Sequence, residues 1–466
     1  MLTATLGRHQ VPLVYAAAVA VSLAAGLAVA RSQDGVSMSL LALVALTGIA
    51  ILASIPPRIL FVGWLLVAPF LQASADDSEL GRTLTWALYT APALVMLALT
   101  FVRRDRTVRV RWIDWLPGVY VLYVLASMVL TTNLLESNVT GTAKAVVLFV
   151  AIGSIVYYFL IVGPGRAVRS ETIIAVLLVS GIAQGVLAVL DSTIGWNVWR
   201  YDGWQHVSGG ARAVSTLTNP ALLGGFLGAT MAIAVAVLVW DGPRSLRRLS
   251  WVTLFAAAPG LVLTLTRGPI LATALVLVLL LLLSRARIVG LAVLAAGAIA
   301  IALLLPSLRA TEVYQVRVAN TVSIQGREAL QDWSLRLASE KPVLGWGYGS
   351  FDRVKNTSGF SAEGVPIKNV LQYTSHNTYL TVLVELGGVG LILFVGPFLV
   401  LGARALARAR EASADRWLAA AALGALLVLV LTASTIDFRF FSIAQMLPFL
   451  FLAILRRIAA TEPQQP

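Results

Sequence analysis

The chain has 466 residues, 58% of them hydrophobic and 12% charged. Its mean hydropathy is +0.85, which excludes a water-soluble globule and leaves a polytopic membrane protein. The net charge of +13 does not point to nucleic acid, because the basic residues lie in short clusters between apolar runs, where they report topology. With no cysteine there is no disulfide framework and no thiolate metal site, and His9, His206 and His376 are too scattered to suggest a zinc site.

Runs of about 17 to 25 apolar residues each suffice for one membrane-crossing helix. Fourteen such runs occur, near 11–30, 37–54, 59–75, 83–102, 113–131, 145–163, 172–194, 219–240, 250–266, 269–284, 288–306, 377–401, 417–434 and 440–458. Pro56-Pro57 separates the second from the third, and a re-entrant pair would give the same pattern. The first run ends in Ala28-Val29-Ala30, similar to a signal-peptidase site, but its long apolar core favours an uncleaved anchor. The expected fold is therefore all-α, with 12 to 14 transmembrane helices and one large loop on the outer face containing short helices.

Short loops keep arginine on the cytoplasmic side. Arg8, Arg58, the cluster Arg103 to Arg111, Arg166 and Arg169, Arg244 to Arg248, Arg285 and Arg287, Arg404 to Arg416, and Arg456 with Arg457 all fall on one side of the fourteen-span count. That places both termini in the cytoplasm. The chain divides into N-terminal spans (1–194), central spans with outer arginines (195–306), a large exoplasmic loop (307–375), C-terminal spans (376–458) and a cytoplasmic tail (459–466).

The outer side then collects three features. The loop near 195–218 carries Trp196, Trp199, Arg200, Tyr201, Trp204, His206 and Arg212. The short turn Thr266-Arg267-Gly268-Pro269 joins the ninth and tenth spans, and the long loop runs directly into His376. A loop of that length between membrane helices is usually functional. Within it, Arg327 to Glu340 reads as an amphipathic helix, with Leu330, Trp333 and Leu337 as its stripe and Arg327, Gln331 and Ser334 elsewhere on its surface. Pro342 ends that helix. Alternating glycines at 345, 347 and 349 follow; turn geometry explains them better than phosphate contact.

His376, in Thr374-Ser375-His376-Asn377-Thr378-Tyr379-Leu380, stands where the loop meets an apolar helix. An imidazole there can serve as a proton acceptor or simply terminate the helix. Arginines on the outer side suit a lipid-anchored diphosphate, since a guanidinium grips phosphate with forked hydrogen bonds. A single arginine at a helix end more often snorkels to headgroups. Arg267 is the exception: it sits between two long apolar runs on the side poor in positive charge, where burial costs about 2.5–3.5 kcal/mol without an anionic partner or aqueous cavity. Arg212 precedes Thr218-Asn219-Pro220, in which Asn219 suits a helix cap and Pro220 the first turn. Acidic residues in or near the spans are few: Asp191, Glu385 and Asp437. An ion-coupled transporter would carry more of them at mid-membrane depth. Glu385 suits either a partner for an outer arginine or a structural hydrogen bond.

Taken together, these pieces resemble the bacterial O-antigen ligase and polymerase superfamily. The similarity covers about 200–395: Arg212 with Thr218-Asn219-Pro220, Thr266-Arg267-Gly268, Gly326-Arg327 with Trp333, Pro342 with Gly345 to Phe351, and His376 to Leu380 with Glu385-Leu386-Gly387-Gly388-Val389-Gly390. Fourteen spans exceed the roughly twelve typical of the ligases. The resemblance implies inverting, metal-independent transfer of a glycan from a polyprenyl diphosphate, outside the cytoplasmic membrane, to an acceptor hydroxyl on a glycan, lipid or protein. It implies His376 as base, Arg212, Arg267 and Arg327 as diphosphate ligands, and Asn377, Glu385, Tyr348 and Asn219 in support, with no cofactor. A repeat-unit polymerase shares this chemistry. A flippase of lipid-linked sugars would instead need basic residues reachable from both sides.

Overall fold

Inside hydrocarbon a helix satisfies its own backbone polar groups, so each apolar run has one economical conformation. The computed structural model describes residues 54–71, 79–105, 107–130, 150–196, 212–285, 287–288, 322–358, 375–410 and 415–459, with scattered residues of 290–306. Outside this set lie the first predicted span with Ala28-Val29-Ala30, nearly all of the second, most of the 195–218 loop including His206, and nearly all of the tail.

All regular structure among the described residues is helical. The helices are α1 (Pro57–Leu71), α2 (Glu79–Val102), α3 (Leu116–Leu130), α4 (Ile152–Ile161) and α5 (Ser170–Ile194), followed by α6 (Pro220–Val239), α7 (Arg244–Leu263) and α8 (Arg267–Leu283). Next come α9 (Val322–Glu340) and the short α10 (Phe351–Thr357), then α11 (Thr378–Arg410), α12 (Arg416–Ala433) and α13 (Ser442–Ile458). Five of them, α5, α6, α7, α11 and α12, are long and apolar enough to cross a membrane. Apart from the spans near 11–30, 37–54 and 288–306, every predicted span overlaps one of these helices, though α7 begins at Arg244, ahead of the predicted 250, α4 begins only at Ile152, and α11 continues to Arg410, well past the predicted 401.

Helices that are apolar all round belong in the interior. Accordingly α6 packs against α5, α7, α8 and α12, and α13 against α4, α11 and α12. Small residues let these backbones touch: Gly185 of α5 lies directly against the Ala256 carbonyl of α7. On the periphery, Phe255 of α7 and Leu271 and Leu275 of α8 turn their apolar surfaces outward, as hydrocarbon-facing side chains do.

Cross-links between distant segments separate the two ends of the bundle. At the arginine-rich end, Arg166 pairs with Asp105, Arg416 with Asp241, and Arg456 with Asp114. Arg457 caps α4 by donating to the Leu160 carbonyl and reaches the carbonyls of Gly165 and Val168. At the opposite end, the 212–217 segment, the start of α8 and the segment entering α11 gather together. In each cross-link the partners fall on the same side of the predicted alternation.

One correction concerns α9. It begins at Val322, five residues before the predicted Arg327, and Ser334 belongs to its buried face. Leu330, Ser334 and Leu337 follow one another at helical spacing, and the Ser334 hydroxyl donates to the Leu330 carbonyl, so its polarity is satisfied within the helix.

Asp114 accepts two hydrogen bonds from Arg456 at 2.7 and 2.8 Å and one from the Tyr157 hydroxyl at 2.7 Å, and both ionic partners are buried. Asp114→Ala leaves that guanidinium without its counter-charge. It should cost roughly 3–5 kcal/mol in detergent unfolding, whereas Asp105→Ala at the exposed, solvent-screened pair should leave the unfolding transition nearly unchanged.

Candidate functional site

Arg212 is placed by a buried polar network. Asp191, near the end of α5, accepts from the backbone amides of Val214 and Ser215 at 2.9 and 3.0 Å. Gln184, two turns earlier, accepts from the Ser215 hydroxyl and donates to Thr216, and Thr216 in turn donates to the Pro69 carbonyl of α1. The segment is thereby pinned to α5 and α1. Arg212 then reaches the turn between α7 and α8, donating to the Thr264 carbonyl at 3.0 Å and to the Thr266 hydroxyl. Asn219 caps α6, its side-chain oxygen accepting from the amides of Ala221 and Leu222.

Arg267 and His376 flank the same short loop. Arg267 is the first residue of α8, and Gly268 beside it lies so close to Thr435 that a Cβ would overlap the threonine hydroxyl. One residue further along that loop, the Ile436 carbonyl accepts from the Thr378 hydroxyl at 2.9 Å, and Thr378 accepts in return from the Phe438 amide. Thr378 opens α11, two residues after His376. Asn377 caps that helix, accepting from the amides of Tyr379 and Leu380. His376 itself is therefore not the cap; it is held just outside the helix with φ +50°.

Strain gathers here. Of the five non-glycine residues with positive φ among the described residues, Ser215, Thr218, Leu265 and His376 all surround the site. Such conformations cost roughly 1–3 kcal/mol each and persist only where the surroundings over-determine them.

The glycine turn docks against α11. Trp346 and Gly347 donate their amides to the carbonyls of Val384 and Glu385, and Gly388 donates to Pro342. Gly345, Gly347 and Gly349 have φ between +71° and +95° and so make turns. Gly387 breaks α11 at φ +63°, ψ −169°, a conformation open in practice to glycine alone. Its missing Cβ makes room for the Val343 carbonyl. Below the turn, Glu385 Oε1 accepts from the Phe351 amide at 3.0 Å, while Oε2 pairs with Arg439 at 2.5 Å. Arg439 also grips Asp437 through Nε and Nη2 at 2.8–3.0 Å.

The electrostatics follow. Burial works against the charge on Arg439, but Asp437 and Glu385 outweigh it and hold its pKa well above the usual value. Arg327 on α9 is held below the usual arginine range, first by desolvation of its guanidinium and then by the like charge of Arg267. His376 is lowered to about 4, first by burial and then by Arg327, with Lys355 adding to the effect and Asp437 opposing it. Burial likewise raises Tyr348, which lies within the field of Arg439. The imidazole is thus a free base at neutral pH, in the combined field of cations from α9 and α10. Among the described residues no three His, Cys, Asp or Glu side chains gather as a metal site.

Arg212 thus lies against the turn that carries Arg267, Arg267 acts on Arg327, and Arg327 acts on His376. Asn219 and Asn377 are occupied as caps, and Glu385 in the Arg439 node. Sequence reasoning passed over Arg439, although it stands between two apolar runs at the arginine-poor end, the same signal that singled out Arg267. Lys355 carried no signal, since a lysine beside Asn356 and Thr357 in a loop reads as solvated.

Comparison with protein families matches residues 252–395 to the model described as O-Antigen ligase. No curated protein matches the chain. The matched segment runs from α7 through α8, α9 and α10 into the first half of α11, and so contains Arg267, Arg327 and His376.

Gly387→Ala should prise the glycine turn from α11, because both the added Cβ and the backbone conformation are disfavoured. Amides of Trp346 and Gly347 should then exchange at least tenfold faster in hydrogen-exchange mass spectrometry, while those of α6 remain unchanged.

Proposed function

We propose, on the premise that the chain belongs to the O-antigen ligase superfamily through residues 252–395, that it transfers a glycan from a polyprenyl diphosphate to an acceptor hydroxyl. The transfer takes place on the outer face of the cytoplasmic membrane, with both termini inside. The observation that supports this reading is the meeting, at the end of the bundle opposite the arginine-rich loops, of the segments that carry Arg212, Arg267 and His376: Arg212 donates to Thr266, Gly268 lies against Thr435, and Thr378 donates to Ile436.

The chemistry suits that arrangement. The acceptor oxygen attacks the anomeric carbon from the face opposite the diphosphate, the carbon–oxygen bond to the diphosphate breaks, and the configuration inverts. The acceptor's proton passes to His376, and the electron pair leaves with the polyprenyl diphosphate. Negative charge therefore grows on the leaving oxygens, where Arg212, Arg267 and Arg327 stabilise it from fixed positions. Glu385, Asn377, Tyr348 and Asn219 support these groups without taking part in proton transfer.

The test is a reconstituted assay with a defined polyprenyl-diphosphate glycan and candidate acceptors, the products being identified by mass. A single new conjugate marks a ligase and a ladder of lengths on the carrier marks a polymerase; an unchanged donor refutes transfer. His376→Ala should lose about 10²–10⁴ in rate while remaining in the membrane. Arg267→Lys should weaken donor binding, because an ammonium cannot reproduce the fork.

The pH dependence has a definite sign. Since His376 is the free base above a pKa of about 4, kcat/KM should stay level from pH 8 down to pH 6 and fall only as the ring protonates in more acid solution. An ordinary imidazole base would already have lost half its activity near pH 6.5, its usual pKa.

A further inference from the structure

At the arginine-rich end, the last turns of α6, α8 and α11 and the first turn of α12 enclose a cavity of about 170 Å³. Three arginines line it: Arg285 just after α8, Arg410 at the end of α11 and Arg416 at the start of α12. Val239, Leu283 and Ala409 give it apolar walls, and Trp240 is fixed beside them by donating its indole N–H to the Leu280 carbonyl at 3.3 Å. None of these residues belongs to the site at the opposite end of the bundle.

The preference of short cytoplasmic loops for arginine explains why such residues occur on this side, but not why three of them, far apart in the chain, border one small cavity. Like charges so gathered repel unless an anion joins them. Arg416 has a partner in Asp241, yet that carboxylate is 67% exposed and screened by solvent, whereas the Arg416 side chain is only 17% exposed. Among the described residues, the side chains of Arg285 and Arg410 have neither an ion pair nor a hydrogen bond. Three guanidiniums thus face one outlying carboxylate, and the cavity keeps an excess of positive charge.

The volume selects the ligand. Sites that enclose a drug-sized molecule run to roughly 300–1,000 Å³, so this cavity takes a phosphate group and not a nucleotide. Guanidiniums bind phosphate oxygens with forked, charge-assisted hydrogen bonds. The surroundings select the source. Leu279 and Leu282 of α8, within two turns of Arg285, are exposed as hydrocarbon-facing side chains are, so an acyl chain has a path along α8 while its headgroup enters among the arginines.

We propose that this cavity binds the headgroup phosphate of an anionic phospholipid in the leaflet at the arginine-rich end, held by Arg285, Arg410 and Arg416. A phosphate bound there ties α8 to α11, the helices that begin at Arg267 and two residues after His376. Neither the ligand nor the site depends on glycan transfer.

The test titrates the full-length protein in detergent with phosphatidylglycerol, phosphatidylcholine or inorganic phosphate. Bound lipid is counted on folded ions by native mass spectrometry, and stability is followed by thermal unfolding. Phosphatidylglycerol should bind in preference to phosphatidylcholine and raise the melting temperature by several degrees. Arg285→Gln with Arg410→Gln removes two forked grips and leaves Arg416 to Asp241; it should weaken phosphatidylglycerol binding about tenfold or more and abolish the thermal shift. Arg248→Gln with Arg404→Gln removes the same charge from exposed arginines that do not line the cavity, and should bind as the wild type does.

Equal losses in the two double variants overturn the site, since they mark diffuse attraction between a basic surface and an anionic lipid. Phosphatidylcholine bound as tightly as phosphatidylglycerol overturns it as well. Full protection by inorganic phosphate without lipid overturns the phospholipid as the source. A variant that melts early still reports through the occupancy of its folded ions.

Discussion

A guanidinium buried between two carboxylates holds this end of the protein together. Arg439 draws Glu385 of α11 and Asp437 of its own loop, before α13, into one ion cluster, and Glu385 extends it to the first amide of α10. In a low-dielectric interior such a group is tolerated only when its charge is matched and its donors are used, and Arg439 meets both conditions with a forked grip on Asp437 and a separate contact to Glu385. Because the cluster spans three segments distant in sequence, none of them moves without leaving a charge unpaired. His376, Arg267 and α10 inherit their positions from that constraint.

The conformational strain has the same origin. A histidine in the left-handed region and a glycine break within α11 are unfavourable locally, and hydrogen bonds to neighbouring segments fix both. The Thr378–Ile436–Phe438 exchange and the docking of the glycine turn on Val384 and Glu385 replace the regular helical bonds that those residues forgo. A helix continued through His376 would align its side chain with the α11 surface. Starting the helix after the Asn377 cap instead leaves His376 outside it, at φ +50°.

Most of the fold was legible in the sequence because hydrocarbon enforces a simple rule: apolar runs become helices and arginine marks one face. Arg267 could be found by its breach of that rule, and Asn219 by its place before Pro220. Arg439 breaches the same rule but lies near the start of an apolar run, where it passes for part of a helix end. Lys355 breaks no rule that a sequence displays. Its burial depends on Phe351 being anchored to Glu385, a contact between residues 34 apart that no local pattern encodes. Ser334 was misplaced for a related reason: hydroxyls read as surface groups, yet a serine that returns its proton to its own helix can face the core.

The site joins two regions of opposite charge. On one side the Arg439 node carries one positive and two negative groups, a net negative scaffold closed to solvent. On the other stand Arg267 and Arg327. His376 lies between, and Asp437 favours its protonation while Arg327 and Lys355 oppose it. With burial added on the same side, the cations prevail and the ring stays neutral. A cationic surface alone would be hard to hold together in a membrane protein, since like charges repel and hydrocarbon screens nothing. The carboxylates of the Arg439 node offset that repulsion. Under the proposed transfer, the arginines meet the anionic donor while His376 accepts the acceptor's proton.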